Sequence, residues 1–278
     1  MTLTVKQAAD RWLAVYVANA RSAKNMAMAA QRSRDFLEPF MGERVLSDVR
    51  PDDVREYRLW LQAKELAPRT VRHILTDLRC LFRWAAESEH LEKSPFPRRV
   101  MPRIQESSPD RLLDDEVAAV LAIPEPHAFI VRFALGTGLR WGELCRAEAS
   151  HVEGGMLVVS QTKSTRVRRV PLAPALIREI LSKPGRLVPY TEGSAGSFAK
   201  YVQRHSGVAR FHVHQLRHTF ACRWVEGGGG LASLQQILGH ASVVTTQHYA
   251  RLSDESVRRE AERVRETGGN LVADRVVA

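Results

Sequence analysis

Arg140 opens a predicted helix directly after Gly136-Thr-Gly-Leu139, and Glu143 follows three residues later on the same face. His214 and Arg217 are also three apart on a second predicted helix, with His218 next in line. Lys163 sits at the tip of a predicted hairpin, His240 follows Gly239 in a break between helices, and Tyr249 lies on the short helix after it. Packing gives these polar groups no task, and their types suit one kind of chemistry. Guanidinium forks match the oxygens of a phosphate. A tyrosine is a covalent nucleophile once a base or a positive field offsets its pKa of about 10. A lysine or a histidine can protonate a departing alkoxide. No acidic cluster with metal-ligand geometry stands out, so no metal is expected and the protein's own cations must neutralise charge. Asp114, Asp115 and Glu116 precede an apolar helical run and read as capping and dipole residues. His214 and His218 have the i,i+4 spacing of a zinc pair, with His212 nearby, but the phosphate set explains them better. Cys80, Cys145 and Cys222 form no CxxC pair and no disulfide framework.

The elements that must hold these groups are legible from spacing. Helices are expected over Thr4–Ala20, after Pro51, and over Arg69–Ala85. In the last, Val71, Ile74, Leu75, Leu78, Leu81, Phe82 and Ala85 share a sector of about 120°. Arg69, Arg72, Arg79 and Arg83 form a flanking stripe, read as free of acidic partners and as phosphate-contacting. Lys93–Arg103 carries Pro95, Pro97 and Pro102 with Arg98, Arg99 and Arg103, and reads as a stiff basic linker. Beyond it the reading is mixed. Helices are expected from Asp114, over His127–Leu135, Ser194–His205, His214–Val225, Leu231–Leu238 and Ser242–Ala250. Strands are expected over Met156–Ser160 and Val167–Leu172. A polar helix over Asp254–Glu266 and a short terminal strand complete the chain.

Length and charge bound the function. The chain has 278 residues, about two domains' worth, 44% hydrophobic and 26% charged. It contains no run long and apolar enough for a membrane span and no apolar signal core at its start. With 41 Lys and Arg against 31 Asp and Glu, it carries a net charge of +10. Residues 1–108 hold 19 basic and 14 acidic side chains, and the remainder 22 and 17, so each part is net +5. Both parts suit one polyanionic partner, most simply nucleic acid.

Four strings carry a resemblance to the tyrosine recombinases, or phage-type integrases: Thr137-Gly-Leu-Arg140-Trp-Gly-Glu143-Leu, Gln161-Thr-Lys163-Ser running on to Arg169-Val-Pro171-Leu, His214-Gln-Leu-Arg217-His-Thr-Phe-Ala221, and Leu238-Gly-His240 with Tyr249 nine positions on. Their order and spacing agree with the family over residues 109–252, and the likeness of residues 1–92 to its core-site-binding domain is weaker. The resemblance implies a helical N-terminal core-site-binding domain (1–92), a basic linker (93–108), and a mainly helical, mixed α/β catalytic domain with a small antiparallel sheet (109–266). It implies a tail (267–278) that packs in cis or docks on a neighbouring subunit.

By the same resemblance, Arg140 and Arg217 would clamp the scissile phosphate and Tyr249 would form a 3′-phosphotyrosyl bond. His214 would help take the tyrosine proton, Lys163 would protonate the leaving 5′-oxygen, and His240 would bond a phosphate oxygen. Arg166, Arg168 and Arg169 share the hairpin with Lys163. Glu143 would orient Arg140, and His218 would support the fold. The implied partners are double-stranded DNA at attachment or core sites, three further copies of the chain in a synaptic tetramer, and accessory DNA-bending or directionality proteins. The implied setting is the cytoplasm of a bacterial or phage-infected cell, with no membrane, metal, nucleotide or other cofactor. Arg251 stands where many members carry a histidine, and the chain has no room for an arm-site-binding domain. Same-chemistry alternatives are a chromosome-dimer-resolving recombinase and a type IB topoisomerase-like relaxer. Different-class alternatives are a DNA-binding regulator without catalysis and a metal-dependent nuclease.

Overall fold

The computed structural model describes residues 3–17, 23–104, 108–160, 167–183 and 185–240, with Thr246, Tyr249, Arg258 and Glu262. The chain divides into two compact units, residues 1–106 and 107–278.

In the first unit, helices span Val5–Trp12, Ala23–Arg32, Glu38–Met41, Pro51–Ala63 and Pro68–Glu87. The expected apolar sector of Arg69–Ala85 is buried at every one of its seven positions, against Trp12, Val54, Tyr57 and Leu61. The first helix tightens its capping with Thr4 and Gln7 bonded reciprocally. It then continues as a π-helical turn over Leu13–Val17, and a second π turn spans Ser33–Leu37. The helix from Pro51 starts as expected, with Asp53 accepting the Arg50 N–H at 2.7 Å. The Pro-rich stretch is anchored on this unit by buried Val100, with Phe96 and Met101 packed beside it. Apolar side chains between the prolines, rather than stiffness alone, set its course.

In the second unit, the His127–Thr137 helix buries seven of its eleven residues and packs against Val213–Glu226. Around them lie helices Asp114–Leu121, Trp141–Arg146, Pro174–Leu181, Ala195–Ser206 and Leu231–Leu238. The sheet has three antiparallel strands in the order β1 (Val152–Glu153), β2 (Met156–Val159) and β3 (Arg168–Pro171). β2 and β3 pair with Leu157 opposite Val170 and Val159 opposite Arg168. β1 escaped the sequence reading because it has two residues, too few for alternation to register. Its turn is Gly154-Gly155, both at positive φ. The mainly helical unit with a small antiparallel sheet matches the expected fold class. The Asp254–Glu266 helix and the 267–278 tail lie outside the described residues, apart from Arg258 and Glu262.

Candidate active site

Two helix ends converge to build the site. The His127–Thr137 helix ends on Gly138, at φ +63, and the Leu231–Leu238 helix ends on Gly239, at φ +64. Both conformations favour glycine. A Cβ at Gly138 would also come within 2.4 Å of the Phe220 ring. These terminations aim main-chain carbonyls inward. Arg217, 2% exposed, donates to Gly138 O at 2.7 Å and to Leu238 O at 2.8 Å. A buried guanidinium is thus held at the partially negative ends of two helices.

The third Arg217 bond goes to His240 Nε2 at 2.8 Å. Arginine can only donate, so His240 Nε2 accepts, and its Nδ1–H donates to Thr246 at 2.9 Å. That fixes a neutral ring in one tautomer. Burial, then Arg217 and Arg140, lowers the His240 pKa to about 4. In this arrangement Nε2 is an acceptor, so bonding a phosphate oxygen would require it to exchange Arg217 for a proton.

Arg140 precedes the Trp141–Arg146 helix. Glu143 accepts the Arg140 backbone N–H at 2.8 Å and its Nη1 at 3.1 Å, so one carboxylate caps the helix and holds the side chain. Arg140 Nη2 reaches Gly239 O at 3.4 Å. Glu143 also receives Arg168 from β3, through Nη1 at 2.9 Å and Nη2 at 2.6 Å. Arg168 Nε donates to Ile237 O at 2.7 Å. Burial pushes Glu143 upward, but the Arg168 bonds and charge, helped by Arg140, prevail and hold it at about 2. Sequence reading grouped Arg168 with Arg166 and Arg169. The available signal was alternation: Arg168 and Val170 share the inward face of β3, and Arg169 faces out.

The Tyr249 ring is 3% exposed and packs with Ala221, Cys222, Val225, Leu234 and Leu238. Its hydroxyl is 2.7 Å from His218 Nδ1. His218, expected as a support for the fold, is therefore the histidine at the hydroxyl. His214 packs edge-on to the His218 ring, with centroids 4.5 Å apart. Partial burial, then His218 and Arg217, lowers His214 to about 4. Burial, then His212 and Arg217, lowers His218 as well. Burial raises Tyr249 and the Arg217 charge opposes it, so the phenol is protonated near neutrality. His212 turns away to Asp110, at 2.9 Å.

Direct bonds thus join Arg140 with Glu143, Arg217 with His240, and His218 with Tyr249, and His214 touches His218. Lys163 lies outside the described residues. Arg69, Arg72, Arg79, Arg83, Arg98, Arg99 and Arg103 are all exposed on the first unit. The stripe is not free of acids: Arg83 Nε donates to Glu87 at 2.9 Å, one turn on and beyond the window from which the stripe was read. Arg98 and Arg99 line a cleft of about 490 Å³ together with Arg55 and Arg58, which sequence reading left out.

The profile of the phage integrase family matches residues 110–256, more than half of the chain. Tyrosine recombinase XerA of Pyrococcus furiosus is 29% identical over 250 residues, covering 82% of this chain and 85% of that protein. The integrase of Escherichia phage 186 is 26% identical over 271 residues, covering 90% and 78%. The fold resembles a lambda integrase solved as a tetramer bound to a Holliday junction, with TM-score 0.72 and 19% identity over 92% of this chain and 78% of that one. Together with the convergence of its arginines, histidines and tyrosine, the match across the catalytic unit makes this chain a member of the phage integrase family, a tyrosine-type site-specific recombinase.

Proposed function

We propose that this protein integrates DNA by site-specific strand transfer through Tyr249. The observation that carries the reading is the 2.7 Å bond between the Tyr249 hydroxyl and His218, on the same helix as buried Arg217. In the reaction, the Tyr249 oxygen bonds the scissile phosphorus as the bond to the 5′-oxygen breaks. The phenol proton passes to His218, which is in place, or to His214, the residue the motif assigns. Lys163 returns a proton to the leaving 5′-oxygen. Arg140 and Arg217 hold the non-bridging oxygens, and His240 joins them after its tautomer changes. One phosphodiester is exchanged for another, so the step needs neither nucleotide nor metal. Positioning and fixed charge supply the catalysis.

The partner is duplex DNA, held by the catalytic cations and the exposed arginines of the first unit. Two paired sites, four protomers and a four-way junction complete the exchange, as the lambda integrase assembly suggests by analogy. A second reading, resolution of joined chromosomes, uses the same chemistry. Substrate topology separates them: integration joins two different attachment sites, and resolution recombines two copies of one site. The central test is a nicked suicide duplex carrying the site recovered beside the gene. The wild-type protein forms a covalent adduct in excess EDTA, and Tyr249→Phe forms none. An adduct that persists in Tyr249→Phe refutes the assignment.

A further inference from the structure

We infer that Arg168 is a positioning residue that keeps Arg140 available as a cation, by occupying the carboxylate that would otherwise neutralise it. The inference rests on the strand-transfer reading above and deepens it. Glu143 is shared unequally. Arg168 takes both of its oxygens at 2.9 and 2.6 Å, whereas Arg140 reaches only one side-chain contact, at 3.1 Å. The Arg168 and Glu143 side chains are 8% and 7% exposed, and that of Arg140 is 41% exposed. The tight, dry pair is therefore Arg168–Glu143, and Arg140 is the loosely held, solvent-facing partner. Bidentate geometry makes this ranking physical rather than accidental.

Without Arg168, Glu143 would be a buried carboxylate with Arg140 beside it as the nearest guanidinium. It would draw Arg140 into a two-pronged pair, turning its fork from the substrate and cancelling its charge. Arg168 prevents this, and its Nε bond to Ile237 O ties the arrangement to the helix end that precedes His240. One guanidinium so links β3, the helix that follows Arg140, and the segment leading to His240. A lysine cannot reproduce these three bonds at once.

The test compares adduct formation on two suicide duplexes that differ at the scissile position. One is the natural phosphodiester. The other is a methylphosphonate, in which a methyl group replaces a non-bridging oxygen and removes the negative charge. Arg168→Met is expected to slow cleavage about 100-fold on the phosphodiester, the scale of losing one charge-stabilising contact. On the neutral substrate the loss stays under about tenfold, because less cationic help is needed there. Arg168→Lys retains a charge beside Glu143, guards against a failure to fold, and shifts the ratio in the same direction. In the double variant Glu143→Gln/Arg168→Met no carboxylate remains to neutralise Arg140, and the gap between substrates narrows. Equal losses on both substrates in either single variant, or wild-type rates, overturn the inference. If the wild-type protein makes no adduct, the strand-transfer reading itself fails and this inference fails with it.

Discussion

His240 illustrates how much one ring can be constrained by its neighbours. Arg217 dictates which nitrogen accepts, and Thr246 takes the proton of the other. His214 and His240 are held near pKa 4 by burial and by the arginines around them. An unfolded chain would protonate both near 6.5. The unfolded state therefore binds protons first on acidification, so the contribution to stability is complete above about 6.5 and is lost as pH falls toward 4. Thermal melting should show a falling Tm across that window, with a shallower fall in His240→Gln. A melting temperature independent of pH from 7 to 4 would contradict it. The sequence marked these side chains by spacing, but not which histidine meets the tyrosine. His214 and His218 lie one helical turn apart on one face, and only the packing of the Tyr249 ring against Ala221, Cys222 and Val225 selects His218.

Helix ends, more than helix bodies, build the site. Gly138 and Gly239 stop two helices and expose the carbonyls that receive Arg217 and Arg140. Gly138→Ala must adopt positive φ and displace the Phe220 ring, a cost of roughly 1–3 kcal/mol. Denaturant melts should show that loss, and adduct formation should fall further than stability alone explains, because the Gly138 carbonyl moves with the turn. Long periodic elements were the legible ones. The Pro68–Glu87 helix presents its whole apolar sector as the spacing requires. The π turns at Leu13–Val17 and Ser33–Leu37 interrupt the regular spacing and left no such mark. The Pro174–Leu181 helix went unread beside a strand ending in proline. Arg168 was visible as a residue but not as a buried one, since burial is decided by the Leu231–Leu238 and Trp141–Arg146 helices that close over it.

Across the whole molecule, the net charge of +10 is spread over both units. DNA held through about six phosphate contacts would lose about a thousandfold in affinity between 50 and 200 mM salt, through counterion release. A binding titration over that range checks it, and affinity indifferent to salt would argue against backbone contacts. Among the described residues, the three groups bonded to Arg217 are two peptide carbonyls and a neutral imidazole, none of which carries a formal charge. Arg217 therefore carries a load that no directly bonded counter-ion among the described residues offsets, and burial together with Arg140 lowers its pKa to about 9, with Glu143 opposing them. Any oxyanion that settles there relieves that load. Such an anion would act as a missing structural piece, and its arrival would stiffen the scaffold as well as start the reaction.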